Sequence, residues 1–110
     1  MPLKRYFTEM GMGVDVHGRN YTTAAKRAVS DAIRHSSLHL FDAIGKLRED
    51  MQITVRIGAP RPDMVDCQEV ANELPYGVVN VIPEKGGLEV PNEDDAIVMV
   101  NAAVLVQFND

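Results

Sequence analysis

The sequence predicts an α+β fold: one domain over residues 1–110, with a mixed sheet that carries helices on one face. Three observations predict it. Segments of alternating apolar residues, MQITVRI (51–57) the clearest, read as half-buried strands. TAAKRAVSDAIRHS (23–36) places its apolar residues at helical spacing. The two kinds of segment follow one another in the order β-α-β-α-β-β, a pattern that packs helices against a sheet.

The first strand, Leu3 to Met10, follows from Tyr6 and Phe7, which favour extended backbone. Gly11 and Gly13 then loosen the chain. Thr22 or Thr23 supplies the N-cap of the first helix, whose Ala25, Val29, Ala32 and Ile33 form one buried stripe. Lys26, Arg27, Asp31 and Arg34 lie mostly off that stripe. SLHLFDAIGKLRED (37–50) reads either as a short second helix ending near Gly45 or as an irregular connection. In MQITVRI, Met51, Ile53, Val55 and Ile57 point one way, and Gln52, Thr54 and Arg56 the other. GAPRPD ends that strand, because two prolines cannot sit in a central ladder. Asp63 caps a helix from about Met64 to Leu74, with Val70, Ala71 and Leu74 facing inward and Pro75 stopping it. VVNVI is a strand, EKGG a turn, LEV a short return strand and NEDD a solvated loop. AIVMVNAAVLVQF is a long final strand.

That last strand is apolar on both sides. Ile97, Met99, Ala103 and Leu105 lie on one face, and Val98, Val100, Ala102, Val104 and Val106 on the other. The helices can cover one face. The other needs cover too, and the economical answer is another copy of the chain, so a homo-oligomer is expected. The element order resembles the fold of the small trimeric chorismate mutase and the imine-deaminase family. In those proteins three copies pack their sheets into a central barrel, with sites in the clefts between subunits. The resemblance implies a trimer. It is one of topology alone: the chorismate mutase's substrate-binding motif is absent, so no activity carries over.

Composition excludes several function classes. The net charge is -5 with no basic stripe, which argues against nucleic acid and against anionic membrane surfaces. No apolar run approaches the ~20 residues of a membrane helix. MPLKRYFTEMG has a basic beginning without the apolar core of a secretory signal. Cys67 is the single cysteine, so no internal disulfide forms, and a reduced cytoplasmic setting fits.

The stretch GMGVDVHG, Gly11 to Gly18, holds the chemistry-bearing candidates. On extended backbone, Asp15 and His17 point to the same face with Cα atoms ~7 Å apart. A carboxylate and an imidazole there suit zinc, manganese or iron, or general acid–base work. Gly11 and Gly13 would leave open space before the pair, with Met10, Met12, Val14 and Val16 facing the core. A metal needs further ligands, and His35 or His39, one helical turn apart, could complete the site. Gly11, Gly13 and Gly18 lead into a helix N-terminus, which attracts anions, and Arg19 and Lys26 could bind a carboxylate or phosphate at that end, with solvated charge the default for both. The dinucleotide fingerprint fails, because Val16 stands where glycine is required, and no P-loop lysine follows. The plainer alternative is an Asx-type turn with a surface histidine.

GMGVDVHG matches GxGxDxHG, and on it the chain resembles a small uncharacterised protein family found mainly in bacteria and as a domain in plants. The likeness extends to TTAAKRAVSDAI, IGAPRPDMVD and NAAV. It implies that Gly11, Gly13, Asp15, His17 and Gly18 form a site, without naming an activity. At Asp15, Val16 and His17 alone the chain also resembles the cyclodiphosphate synthase of isoprenoid biosynthesis, where the Asp and His of such a segment look to a metal. The synthase's later His-Ser-Asp-Gly-Asp segment is absent.

Other candidates are weaker. Asn101 interrupts the final strand, either as an amide satisfied by a neighbouring loop or as a ligand-binding residue facing a cleft. Cys67 lies beside Asp66 and Glu69, which disfavour a thiolate. Lys26 and Ser30 are one helical turn apart, but on a charged face. Glu93, Asp94 and Asp95 read as a solvated run. Two functions follow. One is a cytoplasmic homo-oligomer whose Asp15 and His17 hold a divalent metal or do acid–base chemistry on a small polar metabolite, as a hydrolase, lyase or isomerase. The other is a non-catalytic ligand-binding or scaffolding oligomer in which GMGVDVHG is a structural turn.

Overall fold

The computed structural model describes residues 3–34, 50–74 and 77–109. Among the described residues there are five strands and two helices: β1 (Leu3–Asp15), α1 (Tyr21–Arg34), β2 (Gln52–Ala59), α2 (Cys67–Ala71), β3 (Val78–Lys85), β4 (Leu88–Asn92) and β5 (Asp95–Asn109). The fold is the expected α+β domain with a mixed sheet. Its order is β1-β5-β2-β3, with β4 also paired to β5. Every pairing is antiparallel except β2 with β3. The expected second helix or connection in SLHLFDAIGKLRED lies outside the described residues, save Asp50.

The 15-residue strand β5 organises the sheet. One edge takes β1 along its whole length. The other takes β2 over 101–107 and β4 over 95–99. Pro83 and Pro91 fall in β3 and β4, strands with a free edge among the described residues, where a missing N–H costs no ladder bond.

The core lies between the sheet and the helices. Val98, Val100, Ala102, Val104, Val106 and Phe108 of β5 join Ile53, Val55 and Ile57 of β2 on the buried face. Ala24, Ala25, Ala28, Val29 and Ala32 of α1 and Val70 of α2 close over them. Both helices cover this one face. The other face, with Ile97, Met99, Ala103 and Leu105, carries no described element.

Three boundaries differ from the sequence reading. β1 does not stop at Met10 but runs on through both glycines to Asp15. The N-cap of α1 is Asn20, whose Oδ1 accepts from the Thr23 amide at 2.9 Å, and not Thr22 or Thr23. Thr22 instead ties α1 to the next segment: its hydroxyl accepts from the Asp66 amide at 2.9 Å. The expected helix from Met64 to Leu74 is split. A 3-10 turn at Pro62–Met64 comes first, and Asp66 rather than Asp63 caps α2, accepting from the Gln68 and Glu69 amides.

Candidate functional site at the end of the sheet

Alternation along β1 decides where the motif's side chains go. In the antiparallel ladder Gly11 stands opposite Ala102, Gly13 opposite Val100 and Asp15 opposite Val98. These partners are core residues, so Gly11, Gly13 and Asp15 face α1. Met10 and Met12 face outward and are exposed. This is the reverse of the expected orientation, in which Met10, Met12, Val14 and Val16 face the core. No open space lies before the glycines, because the backbone of α1 fills it. A Cβ on Gly13 would sit 2.2 Å from the Ala24 carbonyl oxygen and 2.5 Å from the Ala28 nitrogen. One on Gly11 would sit 2.5 Å from both the Ala28 oxygen and the Ala32 nitrogen. Glycine on the strand and alanine on the helix let the two backbones touch. A ligand contact at Gly11 or Gly13 is therefore corrected to a packing role.

Asp15 is buried beneath the start of α1. Its Oδ2 accepts from the Asn20 amide at 2.9 Å. Its Oδ1 lies 3.6 Å from Nη1 of Arg27, which also donates to the Val14 carbonyl at 2.6 Å. The carboxylate thus holds the turn that carries Asn20 into its capping position.

His17 goes elsewhere. β1 ends at Asp15, and the side chain of His17 is 88% exposed, with Nδ1 3.4 Å from Oδ2 of Asp95. Asp95 is no part of a free loop. Asn92 to Asp95 is a tight β4–β5 turn, and the Asp95 carboxylate accepts from the amides of Gly18, at 3.0 Å, and Ala96, at 2.8 Å. These amides, with His17 behind them, hold the Asp95 carboxyl below its ordinary value. Gly18 and Arg19 both have positive φ, 86° and 49°, which turns the chain from β1 toward α1. Arg19 is fixed there by Nη2 donating to the Asp95 carbonyl at 3.2 Å and Nε to Glu89 at 3.3 Å.

Glu89 is reached from the core side as well. The hydroxyl of buried Tyr21 donates to it. That bond, then Arg19, keeps the Glu89 carboxyl below its usual range, while burial and Glu89 push the Tyr21 phenol up. Sequence reasoning missed Asp95, Glu89 and Tyr21. Their partners lie 68 to 77 residues away, and no local spacing signals such contacts.

A cleft of about 350 Å³ opens here, lined by Val16, His17, Asp95 and Ile97 together with the tip of the turn. Asp15 and His17 thus serve different partners. Among the described residues no three His, Cys, Asp or Glu side chains gather to hold a metal. His35 and His39 lie outside the described residues. Asn101 is on the uncovered face and lines a separate hollow of about 320 Å³ with Arg56, Gly58, Glu84 and Met10. Among the described residues no helix is long and apolar enough to cross a membrane.

A family model described as a conserved hypothetical protein, Lin0512_fam, matches residues 5–106. The crystal structure of an FtsZ-like protein of unknown function from Nostoc punctiforme PCC 73102 is similar, with 35% identity and a TM-score of 0.90. The match covers 100% of this chain and 99% of that one. No curated protein matches. The chain belongs to the Lin0512 family of conserved hypothetical proteins.

Proposed function

We propose, for this member of a family without an assigned activity, that the chain is a self-associating module whose uncovered sheet face is its contact surface. One observation carries the reading. On that face Met10 is 68% exposed, Met12 51%, Leu88 60%, Val90 54% and Ile97 42%. The register puts them together: Met10 is opposite Ala103, Leu88 opposite Met99, and Val90 opposite Ile97. Monomeric proteins rarely leave so continuous an apolar patch in water.

The occupant we assign is a second copy of the same chain. The whole chain is acidic, at -5, so two copies repel over most of their surface. On this face Arg56 and Glu84 balance one another, Arg56 donating to Glu84 through Nε and Nη2 at 2.8 and 2.7 Å, while the acidic turn Glu93–Asp95 borders the patch beside Ile97. A trimer is the assembly the topological resemblance suggests. GMGVDVHG then serves the fold: its glycines admit α1, its aspartate holds the helix start, and its last glycine turns the chain.

The test is light scattering after size-exclusion chromatography, on the wild type and on Met12→Lys and Leu88→Lys. Both substitutions place a charge in the patch without touching the core. Lower mass with unchanged helical signal supports the reading. Unchanged mass in both rejects it.

A second reading has its own support in the contact between His17 and Asp95. A carboxylate that orients an imidazole at a cleft is a general acid–base arrangement for a small polar metabolite. A zinc, manganese or iron ion there would draw further donors from outside the described residues or from another copy. Elemental analysis of chelator-free protein, with His17→Ala and Asp95→Ala beside it, tests the metal form. Metal present in the wild type and lost in both variants supports it.

A further inference from the structure

The outer side of α1 carries a feature that neither reading uses. Thr23, Lys26, Arg27 and Ser30 fall at i, i+3, i+4 and i+7, so they share one helix face. With Glu73 they line a hollow of about 260 Å³ between α1 and the end of α2. Two cations and two hydroxyls facing a single carboxylate is an unusual balance in a chain of net charge -5. The hollow sits on the N-terminal half of α1, whose first turn contains no acidic residue to offset the helix dipole.

The donors differ in how they are held. Arg27 is fixed, because its Nη1 is committed to the Val14 carbonyl and stands 3.6 Å from Asp15. Its guanidinium is therefore pre-positioned beside the hollow. Lys26 is only loosely engaged: its Nζ is 3.8 Å from Glu73, a long contact between half-exposed groups that contributes little. Neither the Ser30 hydroxyl nor the Thr23 hydroxyl has a hydrogen-bond partner among the described residues. A compact anion with acceptor oxygens on several sides, seated over Lys26, Arg27 and Ser30, would meet three of them, with Thr23 at the rim of the hollow.

We propose that this face of α1 is a phosphate-binding subsite for the phosphate monoester of a small metabolite. A tetrahedral group offers separate oxygens to the ammonium, the guanidinium and the Ser30 hydroxyl, whereas a planar carboxylate has only two. A nucleic acid is not the occupant, because the charge is local and no basic stripe continues from it. The proposal is independent of the self-association, which uses the opposite side of the sheet.

The experiment is a titration of the full chain, labelled with nitrogen-15, with inorganic phosphate at constant ionic strength and with acetate as comparison. Saturable shifts at the amides of Thr23, Lys26, Arg27 and Ser30 are expected with phosphate alone. Lys26→Gln and Ser30→Ala should each weaken binding, the lysine change by about tenfold or more. Glu73→Gln removes the one carboxylate of the hollow and should tighten it several-fold. All three substitutions are at the surface, and their melting temperatures check that the fold is kept. Shifts that do not saturate, that acetate reproduces, or that survive Lys26→Gln and Ser30→Ala unchanged would overturn the proposal.

Discussion

Gly13→Ala separates a packing role for the motif from a ligand-binding one. The added methyl would sit 2.2 Å from the Ala24 oxygen, 2.5 Å from the Ala28 nitrogen and 2.7 Å from the Arg27 Cβ. Real Cβ atoms essentially never come within 3.0 Å of such neighbours, so α1 must withdraw from β1 by roughly 0.8 Å. Two of the three obstacles are helix backbone, which cannot swing aside as a side-chain tip does. Withdrawal would loosen Ala24, Ala28 and Ala32, all fully buried, and pull on the Arg27 and Asp15 contacts at the helix start. Overpacking a well-filled core costs about 1–3 kcal/mol, and a backbone obstacle belongs at the top of that range. For a chain of this size that is a fall in melting temperature of roughly 10 °C or more. Urea unfolding and a thermal melt by circular dichroism read it. Gly11→Ala should behave alike. A Gly13→Ala protein that melts within about 2 °C of the wild type would refute the close packing, and would restore the open space first expected before the glycines.

Three further outcomes follow from the same geometry. Asp15→Ala leaves the Asn20 amide and Arg27 without their carboxylate and should cost about 1–2 kcal/mol in urea unfolding, whereas Asp15→Asn keeps an acceptor and should cost less. Asp95 and Glu89 both have carboxyls held low in the folded chain, Asp95 first by the Ala96 amide and Glu89 first by the Tyr21 hydroxyl. Their stabilising effect is complete above the ordinary carboxylate range, near about 4, and is lost as pH falls through the lower folded values, so the urea midpoint should drop in acid and drop less steeply in Asp95→Ala. Tyr21 is shifted the other way, chiefly by burial, so an alkaline absorbance titration should show a phenol ionising above the ordinary tyrosine value, and Tyr21→Phe should remove that late step.

Much of the fold was legible because alternation is a strong signal. The burial of Met51, Ile53, Val55 and Ile57 and the two apolar faces of β5 both follow from it. The same signal misled at β1. A period of two says which residues share a face, not which face is buried. Hydrophobicity favoured Met10 and Met12 as the inward set. Close contact between Gly11, Gly13 and the Ala24–Ala28–Ala32 row of α1 won instead. Spacing of four between alanines opposite two alternate glycines was the readable clue to that fit. The Asp15 and His17 pairing failed for a related reason: alternation holds only while the strand lasts, and β1 ends at Asp15. Asp95 read as solvated charge because its role is set by Gly18, far away in sequence. Asn20, Thr22 and Thr23 are all residue types that cap helices and stand within three positions of one another, so the sequence does not single out Asn20 as the cap of α1.

The most direct measurement is sedimentation equilibrium of the full wild-type chain over a wide concentration range. A mass well above 12.1 kDa that falls toward it on dilution, with Met12→Lys held near 12.1 kDa throughout, is what an adhesive sheet face predicts. A wild type that stays at 12.1 kDa at every concentration would contradict it, and would mean that Met10, Met12, Leu88 and Val90 are covered by something other than a second copy of the chain.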